Sequence, residues 1–327
     1  MLAVSAVLGI LAIALAWPVP VALSRAAWPS RAPAAALALW QAIALAGGLS
    51  MIGCLLAFGS APTGSLPAAI AALAPHLLAG PLPAGFGVAQ VAALALAAAV
   101  ALLLMLNLAL TAVRAERERR RQHQLVDLLS DPMPGEPRTR VLAHPVPLAY
   151  CVPGIRTATV LTEGLIDALS ADELAAVIAH ERTHLDQLHH LVRLAFRAWH
   201  SAIPWFPIAN RAERSVVTLT EMLADDGARR AVGGDALRRA LERVGDAGES
   251  GAYPESASGA NPDAAMLVAR LDRLDADPVD DGAAREGGVM GGGAADVSTV
   301  RAAAVVASVA LVAVPVTAMA AILGIVP

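Results

Sequence analysis

Two histidines four residues apart flank a glutamate in the run His180-Glu181-Arg182-Thr183-His184. On an α-helix, positions i and i+4 share one face, a turn apart, so both imidazoles can grip a single cation. A carboxylate directly after the first histidine leans to the side of that cation, where it can take a proton from a bound water. These residue types at this spacing point to a zinc hydrolase with one Zn²⁺ per chain, His180 and His184 as metal ligands and Glu181 as general base. A random chain of this length shows the pattern roughly once in a hundred sequences. The bland alternative, a polar helix face with two satisfied histidines, is therefore the weaker reading.

A catalytic zinc site needs three protein ligands and one open position. His190 stands where a longer zinc motif places a third histidine, but that motif uses a glycine to turn the chain back, and here the position is Gln187. On an unbroken helix His190 lies about 240° round and about 9 Å along from His184, out of reach of the same ion. Glu221 is the better candidate. It sits in Glu221-Met222-Leu223-Ala224-Asp225-Asp226 on the next predicted helix, and an antiparallel return after Pro204–Pro207 would bring it back to the first. Asp225, one turn further along the same face, can accept the free N–H of a ligating histidine. The competing reading of Glu221 and Asp225 is an acidic, solvated face.

The elements around these residues follow from pattern. Ser170-Ala171-Asp172-Glu173 predicts a helix start, with Ser170 as N-cap and Glu173 at the capping-box position. Leu174, Val177, Ile178, Leu185 and Leu188 keep a helical apolar period, which carries the helix to about His200. A second helix is expected from about Asn210 to Ala231, a third from Gly234 to Val244, and a short one over Asp263–Leu274. Upstream, Arg140–His144, Leu148–Val152 and Thr157–Thr162 read as strands punctuated by Pro145, Pro153 and Gly154. Residues 245–262 are rich in Gly, Ser and Pro and read as a flexible loop, and 275–299 as an Asp/Gly-rich linker.

Composition sets these elements beside a membrane. Of 327 residues, 57% are hydrophobic and 16% charged, against roughly 45–50% and about 25% in soluble domains. Four stretches, 2–23, 34–59, 87–113 and 302–326, are long enough to cross a bilayer core, which needs about 20 residues. A signal peptide is the rival reading of the first, but no basic region precedes it and three further spans follow. Residues 60–86 suggest a short interfacial or bundle-tucked helix. The net charge of -4 argues against a nucleic-acid binder. All 24 basic residues are arginine. They cluster at Arg25 and Arg31, and again from Arg114 to Arg121, so the first and third loops are expected inside the cell. That places the N-terminus outside and residues 114–301 in the cytoplasm of a multi-pass cell-membrane protein. Cys54 and Cys151 stand apart and outside any CxxC, so neither a disulfide framework nor a cysteine zinc site is expected.

The fold class that results is a mostly α membrane protein with four transmembrane helices and an α+β zincin-like peptidase domain between the third and fourth. The expected divisions are a three-helix bundle at 1–113, a cytoplasmic peptidase domain at 114–244, a loop and linker at 245–301, and the last span at 302–327.

An HExxH helix followed some forty residues later by Glu221-Met222-Leu223-Ala224-Asp225 resembles the gluzincin-type membrane peptidases, which include the HtpX proteases and the CAAX prenyl endoproteases. Of these groups, the chain more closely resembles the BlaR/MecR-type transmembrane peptidases. The features that carry this are three spans before the site, Pro204-Trp205-Phe206-Pro207 between the ligand helices, one span after, and Thr159–Leu165 followed by Ala171-Asp172-Glu173-Leu174. The specific motifs lie within residues 148–230. The resemblance implies His180, His184 and Glu221 as zinc ligands, Glu181 as general base and Asp225 as an outer partner of a ligand. It implies that the strand at 157–162, with Thr159, Val160 and Leu161, is the edge along which an extended substrate adds. His189 falls where relatives have Asp or His. The chain ends at Pro327, so a penicillin-sensing domain after the last span is not expected.

The function expected is a membrane-bound zinc metalloendopeptidase acting on a cytoplasmic or membrane-proximal protein. A DNA-binding repressor in a signalling pathway is one substrate class, and damaged membrane proteins in quality control are another. A non-catalytic metal sensor or scaffold is the rival from a different class. The absence of charge inside the four spans argues against an ion transporter. The lipid bilayer is an expected partner, a second copy of the chain an open one, and direct nucleic-acid contact is not expected. Arg229, Arg230 and His189 are candidates for stabilising an oxyanion.

Overall fold

A computed structural model describes residues 1–76, 81–136, 138–154, 157–202, 207–250, 262–276 and 292–325. The expected turn at Pro204–Phe206, and most of the expected loop and linker, lie outside the described residues. The chain divides into two compact units. One comprises Met1–Leu110, Phe196–Ser215 and Gly292–Pro327, and the other Thr111–Ala195 and Val216–Gly291.

The first unit is helical. It begins with α1 (Leu2–Ala16), α2 (Pro18–Arg25), α3 (Trp28–Arg31), α4 (Pro33–Gly59) and α5 (Leu66–Leu73), then the first part of α6 (Val88–Leu129). Among the described residues, four helical stretches are long and apolar enough to cross a membrane: Leu2–Arg25, Pro33–Gly59, Val88–Leu129 and Ser298–Ile322. Helix α4 lies among its neighbours, since Ala57 packs with Leu8 and Ile322, and Ala35 with Ala32 and Ala304. Gly53 permits the close approach, because a Cβ there would meet Leu8 and Met319 side chains. Large apolar side chains such as Ile10, Ile13, Leu102, Met105, Val306 and Val309 stay exposed. A bilayer solvates such surfaces, as water does not. Residues 66–73 form the expected short helix, with Ala69 and Leu73 packed against Phe86.

The second unit holds a four-stranded sheet of order β1-β2-β4-β3. Its strands are β1 (Ser130–Pro132), β2 (Thr139–Leu142), β3 (Ala149–Val152) and β4 (Ala158–Thr162). β1 runs antiparallel to β2, β2 parallel to β4, and β3 antiparallel to β4. Strand β1 had no signal in the sequence because its three residues are too few for an alternating pattern. Two helices follow the sheet, α7 (Glu163–Ala168) and α8 (Ala171–Asp186). Along the chain then come α9 (His189–Ala202) and α10 (Pro207–Val232), each divided between the units, α11 (Gly234–Ser250) and α12 (Pro262–Ala276) in the second unit, and α13 (Gly292–Ile322) in the first. The core joins sheet to helices through Leu161, Leu165, Leu169 and Ile178.

Three expectations are corrected. The helix opened by Ser170 does not run unbroken to His200. It stops at Asp186, and Leu188 adopts the left-handed region at φ 53° before α9 begins. The helix expected to end at Val244 continues to Ser250. The strand at 157–162 is not an edge. β4 is paired on both sides, so the backbone of Thr159, Val160 and Leu161 has no free ladder for a peptide, and all three side chains are buried. The edge that packs on α8 is β3.

Candidate metal centre

Helix α8 starts where its sequence demands. Ser170 Oγ accepts from Glu173 N–H at 3.4 Å, and Glu173 Oε2 accepts from Ser170 N–H at 2.8 Å, a complete capping box. Ion pairs to Arg239 and Arg243 add to the Glu173 end. One stripe of α8, with Val177 and Ile178, packs against the sheet-side core, and Ala176 meets Ala228 and Leu237. That packing leaves His180 and His184 facing α10. The approach of α10 is close because residue 227 is glycine: a Cβ there would fall onto the Thr183 side chain, one position before His184.

His180 Nε2 and His184 Nε2 lie 3.2 Å apart. Glu221 Oε2 is 3.3 Å from His180 Nε2, and Glu221 Oε1 is 3.4 Å from His184 Nε2. A tetrahedral ion with ligands at about 2.0–2.1 Å separates its donors by roughly 3.3–3.4 Å. The two imidazole nitrogens stand close to such an edge, with one carboxylate oxygen of Glu221 near each, and this cluster is one that could hold a metal ion. His180 is buried, and Glu221 is 16% exposed at its side chain.

Each imidazole has a partner at its other nitrogen. Asp225 Oδ1 lies 3.0 Å from His180 Nδ1, approaching the ring obliquely. His189 Nδ1 lies 2.8 Å from His184 Nδ1, and His189 Nε2 is 3.1 Å from Gln187 Oε1. Burial, with His184 beside it, pulls His189 down to about 4, so it is neutral near pH 7. A neutral ring that donates from Nε2 to the Gln187 oxygen must accept at Nδ1. His184 then carries its proton on Nδ1 and keeps a lone pair on Nε2. Asp225, beside His180 Nδ1, favours a proton on that nitrogen, so the one an ion would displace is on Nε2. The break at Gln187–Leu188 makes the His189 contact possible, because on a continuous helix a residue five positions on points about 140° away.

The charges are set by these contacts. Burial opposes the ionised form of Glu221, but hydrogen bonding to His180 and His184 holds its carboxyl far below the usual range. Asp225 is likewise held low, against burial, by Arg270 and His180. Burial lowers the His180 pKa, yet the Asp225 and Glu221 carboxylates outweigh it and push it up to about 9.

Two arginines at this site were invisible in the sequence. Arg270 of α12 donates from Nε to Asp225 Oδ2 at 2.7 Å and from Nη2 to Oδ1 at 2.6 Å, and its Nη1 is 3.5 Å from Glu221 Oε2. Arg193 of α9 donates to Glu221 Oε1 at 2.5 Å and to Thr220 Oγ1 at 2.9 Å. The one signal for Arg270 was a charge near the end of the otherwise apolar run Met266–Leu271. Arg229 and Arg230 are engaged elsewhere, with Asp226 as a partner of each. His190 is not part of the metal cluster among the described residues.

Glu181 borders a cavity together with His180 and Glu221. Burial, with the nearby Glu181 carboxylate, pushes the Cys151 thiol of β3 up to about 12, so it stays protonated.

Residues 112–224, about a third of the chain, match the family model of peptidase family M48. The matched stretch contains His180, Glu181, His184 and Glu221, ends one residue before Asp225, and leaves Arg270 outside. The match supports a peptidase of the metallo class. No curated protein and no solved structure matches the chain.

Proposed function

We propose that this protein is a membrane-bound zinc metalloendopeptidase that cleaves a cytoplasmic or membrane-proximal polypeptide. The observation that carries the reading is the cluster of His180, His184 and Glu221, which brings one donor atom from each within 4.8 Å of the others beside the side chain of Glu181. Two nitrogens and one carboxylate oxygen suit zinc, and when bound the ion supplies a water of pKa near 7 and polarises a carbonyl. His180, His184 and Glu221 would hold it. Asp225 and His189 keep the two imidazoles in the ligating tautomer, and Arg270 and Arg193 keep the carboxylates in place. Glu181 takes the proton from the attacking water and returns it to the leaving amine.

The substrate strand pairs along β3, whose outer edge carries no other strand among the described residues. Ala149 and Cys151 share the face toward α8, and Tyr150 points to the other side. A peptide hydrogen-bonded to this edge is extended, which presents its carbonyls in series past Glu181.

The arginines next to the spans favour an outside N-terminus and a cytoplasmic peptidase unit in the cell membrane. Comparing the proteome of a Glu181→Gln strain with wild type tests the function and sorts its substrates. A single stabilised DNA-binding protein supports a signalling role, and many stabilised membrane proteins support quality control. No stabilised protein, together with zinc-loaded protein that cleaves no peptide, favours a metal-binding scaffold and refutes the peptidase.

A further inference from the structure

The first unit carries its charge at one end. Residues 1–110 contain no Asp or Glu, and their two charged residues, Arg25 and Arg31, fall between the first and second spans. The opposite loop, residues 60–86, has no Arg, Lys, Asp or Glu. Arg301 stands near the start of the last span, three residues before Ala304, and Ala304 packs against Ala32 and Ala35 beside Trp28. That packing sets Arg301 at the same end of the bundle as Arg31.

The ends of α9 and α10 that belong to this unit sit at a definable depth. Asn107 of α6 donates from Nδ2 to the Ala198 carbonyl at 2.5 Å and to Ser201 Oγ at 3.0 Å. His200 Nδ1 pairs with Glu213 Oε2 at 2.6 Å, which joins α9 to α10 beside that contact. Counted from Val88, the first residue of α6, Asn107 lies about 29 Å along the helix. The hydrocarbon core of a bilayer is about 30 Å thick. The bonds to α9 therefore fall where hydrocarbon gives way to headgroups. Trp199, half-buried with its ring edge-on to Phe196, is a residue suited to that boundary. Close by in sequence, Arg197 is exposed and Arg211 half-buried. These two, with Arg25, Arg31 and Arg301, have no hydrogen-bond or ion-pair partner among the described residues. Glu213, the acidic side chain described in this unit, is engaged by His200.

We propose that this end of the unit is a binding surface for anionic phospholipids, with Arg197 and Arg211 engaging headgroup phosphates beside the third span and Arg25, Arg31 and Arg301 doing so beside the others. An arginine next to a span orients that span. Arg197 and Arg211 flank no span, so orientation leaves their charge unexplained. They are held at headgroup depth by Asn107, without a carboxylate to neutralise them, and a guanidinium fork matches a phosphate. The surface does not depend on the peptidase reading.

The test uses the full chain in nanodiscs of phosphatidylcholine that carry a trace of dansyl-labelled phosphatidylglycerol or, separately, of dansyl-labelled phosphatidylcholine. Energy transfer from the protein's tryptophans reads how strongly each label gathers around it. Wild type is expected to gather the anionic label at least about fivefold over the neutral one, the worth of a single arginine at an anionic surface. High salt should erase the difference, because exposed charges are screened. Arg197→Gln combined with Arg211→Gln should cut the preference about fivefold or more. Arg197→Lys combined with Arg211→Lys keeps the charge and should keep most of the preference. Equal gathering of the two labels by wild type, or a preference that survives high salt, overturns the surface even if a variant fails to fold. A folded Gln pair with the full preference overturns it as well. Displacement of the anionic label by inorganic phosphate at constant ionic strength would reveal a site for a soluble anion and overturn the lipid assignment.

Discussion

Arg270 clasps Asp225 through two parallel hydrogen bonds of 2.7 and 2.6 Å, and Asp225 in turn stands 3.0 Å from His180 Nδ1. A fork-to-fork pair of this kind fixes direction as well as charge. The metal centre thus depends on α12, a helix well beyond the segment that carries its ligands.

Arg270→Met should leave Asp225 buried without its counter-charge. Breaking one partner of a buried pair costs about 3–5 kcal/mol, and loss of an outer partner costs metal sites roughly 10–100-fold in affinity. Arg270→Lys keeps the charge but not the fork, and should fall between wild type and Met. Competition with a chelator of known zinc affinity reads the effect. Equal zinc affinity in all three proteins would refute the role given to this residue.

Zinc binding should release protons in a pH-dependent way. In the metal-free protein His180 titrates at about 9, above its ordinary 6.5, because of Asp225 and Glu221. Its proton stabilises the metal-free fold fully below pH 6.5, and that contribution is lost as pH rises through 9. Zinc must displace the same proton, so loading becomes easier over the same interval. Calorimetry in buffers of different ionisation enthalpy should find close to one proton released from this group at pH 7 and half at pH 9. Release that does not change between those pH values would contradict the assignment.

Glu181→Gln should separate binding from chemistry. The residue is not one of the three donors, so zinc content should stay at one per chain. Peptide cleavage should fall by about 10²–10⁴-fold, the usual worth of a general base. A variant that loses zinc as well would mean that Glu181 holds the ion.

Gly227→Ala should loosen the metal centre from behind. The added methyl meets Thr183, so α10 must move away from α8, and Glu221 moves with it. Ordinarily Ala is the better helix residue by about 1 kcal/mol. A stabilised Gly227→Ala protein with unchanged zinc affinity would therefore show that the close approach is unimportant.

Ser170→Ala removes one half of the capping box and should destabilise the peptidase unit by about 0.5–2 kcal/mol. Hydrogen bonding to the Ser170 backbone holds the Glu173 carboxyl low despite its burial, with Ser170 Oγ, Arg243 and Arg239 adding to it. The stabilisation from Glu173 is present above its unfolded pKa and is lost as pH falls through the lower folded value. The gap between wild type and Glu173→Gln in thermal unfolding should accordingly narrow in acid. A constant gap from neutral pH to acid would remove the charge from the explanation.

Much of this was legible along the chain because it is local. Spacing alone placed His180 and His184 on one face with Glu181 to its side, capping chemistry began α8 at Ala171, and apolar length marked the four spans. Glu221 and Asp225 could be nominated because their own spacing, one turn apart, matched that face.

Strand order was not legible. The run at 157–162 reads as a strand, but β-periodicity says only which face is buried, and nothing about which neighbours pair. The structure makes that strand interior and gives the free edge to β3. The break at Gln187–Leu188 was also hidden, since neither residue is a glycine or a proline, yet a left-handed Leu188 there brings His189 to His184. Arg270 and Arg193 reach the site only through folding, from helices whose sequences carry no zinc motif. Ligand type and ligand spacing are properties of a few turns of chain. The shell that orients those ligands is assembled from long-range contacts, and a one-dimensional pattern does not encode which distant charge will lie opposite.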